Sequence, residues 1–195
     1  MAVPGPRTLM VAILAAALTY GCSPVEVAVG AGAATGVAAS QERGILTSAK
    51  DTAISFQIQE LWFRTNHEMF GKLSTSVSEG RALLTGKVQD PEMRVEAVKL
   101  AWQVDGIAEV INEIEVVNTG SLVDSARDFW ITTQLRGHLT FDKDIRSINY
   151  SIDTVNGTVF LMGIARDQAE LDRVTNHARN LAYVRRVVSY VRVAA

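Results

Sequence analysis

The chain has 195 residues, of which 21% are charged and 48% hydrophobic, with a formal net charge of −2. These proportions describe a globular chain of one or two small domains and exclude a disordered one. The slightly negative balance argues against nucleic acid as a general partner. The first element is a targeting segment: Arg7 gives a short positive start, and LMVAILAAAL (9–18) is an apolar core too short to cross a bilayer. The only cysteine, Cys22, follows in LTYGC. A lone cysteine in an exported chain has no internal disulfide partner, so a role for its thiol is expected. Residues 22–47 are rich in Ala, Gly and Val with little charge, and four glycines interrupt any helix, so the segment reads as a tether.

The rest is organised by a repeat. With an offset of 77 residues, identical pairs include Gly80/Gly157, Leu84/Leu161, Gly86/Gly163, Asp90/Asp167, Ala101/Ala178, Val110/Val187 and Val116/Val193. They fall on turns, helix caps and alternating strand positions. The first unit, 48–118, predicts a helix over about 50–66, a strand over about 72–78 and a turn at Glu79-Gly80. A second strand closes on Gly86, a helix starts at Asp90 with Pro91 in its first turn, and a last strand carries Val110, Ile114 and Val116. The second unit, 122–195, predicts the same order: a helix over about 123–139, a strand over about 147–154, and an Asn156-Gly157 hairpin turn. A strand then closes on Gly163, a helix opens on a capping-box-like Asp167 and Glu170, and a final strand carries Val187, Tyr190, Val191 and Val193. The expected fold class is α+β: two α-β-β-α-β units, each with a three-stranded mixed sheet packed on two helices. The short linker NTGSL (118–122) predicts that the units touch.

The residues that carry this pattern resemble a known family. LTYGC is similar to a bacterial lipobox, which implies cleavage after residue 21, a signal peptide over 1–21, and acyl chains on Cys22. Gly80, Leu84, Gly86, Asp105-Gly106-Ile107 and Val110-Ile111-Asn112 resemble the BON domain, and NGTVFLMG (156–163) matches it again. Behind a lipobox, the tandem layout is similar to the dual-BON outer-membrane lipoproteins. That resemblance implies a protein lipid-anchored in the outer membrane and facing the periplasm. It implies binding of anionic phospholipid (phosphatidylglycerol, cardiolipin) through the first helix of the second BON domain, in support of envelope integrity. Carried onto this sequence, the contact positions are Trp130, Ile131, Leu135, Arg136 and Leu139. Gln134 and Thr140 depart from the family, which has a basic and an apolar residue there, and Tyr183 stands where the family has a glycine.

Read by periodicity alone, DFWITTQLRGHL (128–139) places Ile131, Leu135 and Leu139 on one helix face, at about 100° per residue. Phe129, Trp130 and Arg136 fall on the other side. Residues 122–195 carry ten Lys/Arg against eight Asp/Glu, a balance of +2, whereas 48–118 carry seven against eleven, a balance of −4. Aromatic residues beside cations are the composition of an interfacial lipid contact; the competing reading is that Phe129 and Trp130 cover the seam between the units. The sister helix, TAISFQIQELWFRT, puts Ile54, Ile58, Leu61 and Trp62 toward a core and Phe56 and Phe63 outside, near Glu60. That face suits the other unit or an envelope protein partner, or turns into the core if the helix rotates. Arg185 and Arg186 read either as an extension of the basic surface or as a solvated turn. His67, His138 and His177 lack metal-ligand spacing with one another or with Cys22, and no phosphate-cradling loop or nucleophile motif is found. No enzyme activity, metal or cofactor is therefore expected.

Overall fold

The computed structural model of the chain describes residues 44–118 and 122–194, so the leader, Cys22 and the tether up to residue 43 lie outside the described residues. The first helix, α1 (Ile45–Thr65), begins inside the segment read as tether, so residues 45–47 are helical. It ends at Asn66, whose extended backbone breaks the helix and whose side chain accepts from the Glu68 N–H at 2.8 Å. Asn is among the best N-caps, and it starts a short second helix, α2 (His67–Lys72), which the sequence reading did not anticipate.

Next come β1 (Leu73–Ser78) and β2 (Arg81–Val88), an antiparallel pair, then α3 (Pro91–Trp102) and β3 (Glu109–Val116), which runs parallel to β2. The second unit repeats this order. Helix α4 (Leu122–Phe141) leads through a 3₁₀ turn (Ser147–Asn149) to β4 (Tyr150–Val155) and β5 (Thr158–Ala165), followed by α5 (Gln168–Arg179) and β6 (Arg186–Val193). The sheet orders are β1-β2-β3 and β4-β5-β6. The α+β expectation of two three-stranded mixed sheets is met, although β4 starts later than expected because residues 147–149 form the 3₁₀ turn.

Both hairpins turn through two residues of positive φ: Glu79 (55°) and Gly80 (73°), then Asn156 (49°) and Gly157 (72°). That is the type I′ turn, whose twist suits tightly paired strands. Each turn is held by an aspartate from the unit's first helix. Asp51 accepts from the N–H groups of Glu79 and Gly80 at 2.9 and 3.0 Å. Asp128, 77 residues on, accepts from Asn156 and Gly157 at 2.9 and 2.8 Å. These buried carboxylates satisfy two turn donors apiece and tie each opening helix to its sheet.

One face of each sheet carries helices. Ile54, Ile58 and Trp62 of α1 pack with Ala97 and Leu100 of α3 onto Ala82, Leu84, Val88 and Ile114. The indole N–H of Trp62 donates to the Ala97 carbonyl at 3.1 Å, so this fully buried ring leaves no unpaired donor. In the second unit, Ile131, Leu135 and Leu139 of α4 pack with Val174 and Ala178 of α5 onto Ile152, Val159 and Leu161.

The opposite faces of the two sheets pack on each other through Leu83, Val155, Phe160 and Met162, with Ile111, Val188 and Tyr190 partly buried around them. The helices are therefore outside and the sheets inside. Strand β5 is buried along its whole length, which accounts for its unbroken apolar run VFLM. A ring of polar contacts closes the seam: Thr85 donates to Asp153, the Tyr190 hydroxyl to Glu113, and Arg192 pairs with Glu79 at 2.8 Å. Lys87 reaches Asp128 and Asn156, each at 3.3 Å. The units touch, as the short linker predicted, and ion pairs cross the seam in both senses, Glu79 with Arg192 and Lys87 with Asp128.

Candidate functional site

Helix α4 packs on its sheet with a long exposed back, and its two faces separate cleanly. Ile131, Leu135 and Leu139 are 0%, 0% and 1% exposed. This corrects the contact set implied by the family resemblance. These three side chains belong to the core of the unit, which leaves Trp130 and Arg136 as the exposed members of that set. Phe129 and Trp130 are 73% and 40% exposed, and Arg136 is exposed as well. Trp130 does not line the seam, whereas Phe129 lines the groove where the two units meet, with Asp128, Thr132 and Lys72.

Two further aromatic residues join this surface. Phe141, the last residue of α4, is 86% exposed. It lies eleven residues from Trp130, three helical turns along the same ridge, with Gly137 between them. A Cβ at Gly137 would meet nothing within 4 Å, so the ridge is bare there. The sequence reading stopped this helix at 139 and therefore missed Phe141. The second addition is Tyr183, in the turn after α5. Its ring meets Trp130 edge-on at 5.8 Å, and the Arg127 guanidinium sits 5.4 Å from its centroid. Tyr183 has φ 68°, in the left-handed region, where its repeat counterpart Gly106 has φ 92°. The turn keeps the geometry a glycine would give, at a cost of about 1–2 kcal/mol for a residue with a side chain. The strained position buys an exposed aromatic ring next to Trp130.

The charges sort themselves similarly. Arg166 pairs with Asp167, Arg173 with Asp144 and Asp142, and Arg192 with Glu79 across the seam. Part of the positive balance of the second unit is thus used in internal pairs. Arg136 and Lys143 make no ion pair among the described residues, and both lie at the same end of α4 as Phe141. Arg185 and Arg186 are exposed at the hairpin end and the start of β6; the Arg185 N–H donates to the Gly157 carbonyl, and its side chain lines a small cavity with Arg127 of α4 and Tyr183. The surface on offer is Phe129, Trp130 and Phe141 on α4 with Tyr183 beside them, and two uncommitted cations, Arg136 on α4 and Lys143 in the loop after it.

In the first unit, α1 exposes Phe56 (68%) and Phe63 (47%), so rotation of these rings into the core does not occur. Phe63 is instead stacked edge-on with His67 and Phe70 of α2 at 4.5 and 5.4 Å. Glu60 and Arg64, on the same helix, pair with each other at 2.7 Å. No helix among the described residues is long and apolar enough to cross a membrane.

The chain is similar to several known proteins. A protein from the gshII 5′ region of Anaplasma centrale is 41% identical over 144 residues, which cover 73% of this chain and 94% of the relative. The outer membrane lipoprotein DolP of Haemophilus influenzae is 26% identical over 183 residues, covering 93% of each chain. The 21 kDa hemolysin of Actinobacillus pleuropneumoniae is 27% identical over 120 residues, covering 62% of this chain and 61% of the relative. The family model of the BON domain matches twice, at residues 50–118 and 127–195, on the two units that share one topology. The chain belongs to the BON-domain family and carries two BON domains in tandem.

Proposed function

We propose that this protein is a lipid-anchored module of the outer membrane that faces the periplasm and docks its second BON domain on anionic phospholipid, in support of envelope integrity. The anchor in this reading is Cys22, which lies outside the described residues. The role is one of binding rather than catalysis. The observation that carries it is the outer ridge of α4: Phe129, Trp130 and Phe141 exposed on one rigid helix, with Tyr183 against Trp130 and Arg136 and Lys143 uncommitted. Aromatic rings take up the boundary between headgroup and acyl chain, and each nearby cation adds about 1 kcal/mol at an anionic surface. Similarity to an outer membrane lipoprotein over almost the whole chain supports the same location. Anchoring by acyl chains raises the local concentration at the membrane, so a weak contact is populated.

The test is co-sedimentation of the chain from residue 23 onward with vesicles of phosphatidylglycerol or cardiolipin, against phosphatidylcholine alone. Binding to the anionic vesicles only, lost with Trp130→Glu, is expected. Equal binding to all three, or binding unchanged by Trp130→Glu, removes the proposed site. A second reading, a scaffold for an envelope protein, is favoured by the exposed aromatic cluster of the first domain. Capture of one envelope protein, insensitive to salt and lost with Phe56→Ala or Phe63→Ala, would support it.

A further inference from the structure

The outer face of α1 has a pattern of its own. Leu46, Ala49, Ala53, Phe56, Glu60 and Phe63 follow one another at spacings of three, four, three, four and three residues. This is the heptad seam of a helix that packs on another helix. It lies directly opposite the face that carries Ile54, Ile58 and Trp62, and its apolar members are in solvent: Leu46 79%, Phe56 68% and Phe63 47% exposed, with both alanines exposed too. A surface helix that serves only its own domain has no need of a second apolar stripe on its back.

We propose that two copies of this chain pair through α1, antiparallel, around a twofold axis level with Ile54 and Ser55. The choice of a second copy rests on self-complementarity. In that register Leu46 faces Phe63 of the other copy, Ala49 faces Glu60, and Ala53 faces Phe56. Each phenylalanine of the seam thus meets an alanine or the leucine rather than another ring, and the pattern repeats on both sides of the axis, as an isologous interface requires. Leu46 lands where Phe63, His67 and Phe70 are already stacked on one another. Charge agrees: Glu60 arrives beside Lys50 of the other copy, and Lys50 is exposed and forms no ion pair among the described residues. A parallel pair instead sets Glu60 against Glu60 inside the seam, which is repulsive. The exposed portions of these side chains amount to about 800 Å² over two copies. With the stems of Lys50, Gln57 and Arg64 the total reaches the lower end of specific interfaces, about 1,200 Å². Such a pair is weak and reversible. The proposal is independent of the phospholipid reading, because it uses the other domain and a different helix.

The experiment is photo-crosslinking in a bacterial host that co-expresses two differently tagged copies of the full chain, with a benzoylphenylalanine replacing Phe56. An adduct carrying both tags is expected. Ala53→Glu, on a solvent-exposed position whose change leaves the fold intact, should lower it at least tenfold. Glu60→Lys or Lys50→Glu in both copies should weaken it, and a Glu60→Lys copy mixed with a Lys50→Glu copy should restore it. The proposal is overturned by adducts only within one chain, only with lipid or only with another protein, or by a two-tag adduct indifferent to Ala53→Glu. A two-tag adduct that strengthens when Glu60→Lys is mixed with the parent chain, and is not restored by the charge-swapped mixture, contradicts the antiparallel register.

Discussion

Phe129 offers the cleanest quantitative probe of α4, because its ring does little for the fold. It is 73% exposed, and changes at such sites usually move stability by less than about 0.5 kcal/mol. An aromatic side chain offers roughly 150–250 Å² for burial, so about 130 Å² of Phe129 is free to enter a membrane interface. At about 25 cal/mol per Å², complete immersion is worth about 3 kcal/mol, and half immersion about 1.5 kcal/mol. Phe129→Ser should therefore weaken binding to phosphatidylglycerol vesicles by roughly tenfold while leaving the melting temperature within a few degrees of the parent. Phe141, twelve residues along the helix and more exposed still, should contribute a similar factor, and the two should combine close to additively. The assay is vesicle titration by sedimentation, beside a thermal melt of each variant. If Phe129→Ser and Phe141→Ser bind within a factor of two of the parent while folding normally, apolar insertion of this ridge is not part of the contact.

Three other substitutions separate charge, strain and pH. Arg136→Glu replaces an attractive charge by a repulsive one, so affinity for anionic vesicles should fall by about 2 kcal/mol at low salt, with a shallower salt dependence in titrations. Tyr183→Gly relieves about 1–2 kcal/mol of left-handed strain but loses the ring contacts with Trp130 and Arg127. It should leave the melting temperature nearly unchanged while weakening vesicle binding; a large loss of stability would show that the strain argument is wrong. Asp153 sits in the seam between the domains, where burial pushes its carboxyl above the usual 3.8, against the smaller opposing effect of the bond from Thr85. The folded state therefore binds this proton more tightly than the unfolded one. Its stabilising contribution is complete below about pH 3.8 and is lost as pH rises through the elevated folded value. Asp153→Asn should raise the melting temperature at pH 7, with the advantage shrinking as the pH falls toward the acid range; a melting temperature lowered at every pH would mean that the charge is needed at the seam.

Much of the fold can be read from the repeat. Glu79-Gly80 and Asn156-Gly157 announce hairpins, Asp90 and Asp167 cap helices, and the offset of 77 aligns every strand of one domain with one of the other. Periodicity alone also assigned Ile131, Leu135 and Leu139 to the core, where the family resemblance had made them contacts. What the sequence hid depends on contacts between distant segments. Asn66 ends one helix and caps another, a double role invisible to a pattern of apolar residues. The run VFLM in β5 is apolar on both faces, which signals burial from two sides but does not say that the covering layer is the other sheet. The contribution of Tyr183 needed its ring to be found against Trp130. Phe141 lies two residues past Leu139, the last residue of the apolar period, so the periodicity alone does not include it in the helix.

The central claim is that Trp130 and its neighbours enter the lipid interface. The chain has three tryptophans: Trp62 is fully buried, and Trp102 is exposed on α3, so Trp102→Phe leaves Trp130 as the one accessible indole. The direct measurement is quenching of Trp130 emission in this variant by vesicles of brominated phosphatidylglycerol. The account predicts a blue shift and quenching strongest for bromines near the headgroup end of the acyl chain, both abolished by Arg136→Glu with Phe129→Ser. Vesicle binding without any quenching of Trp130 would contradict it.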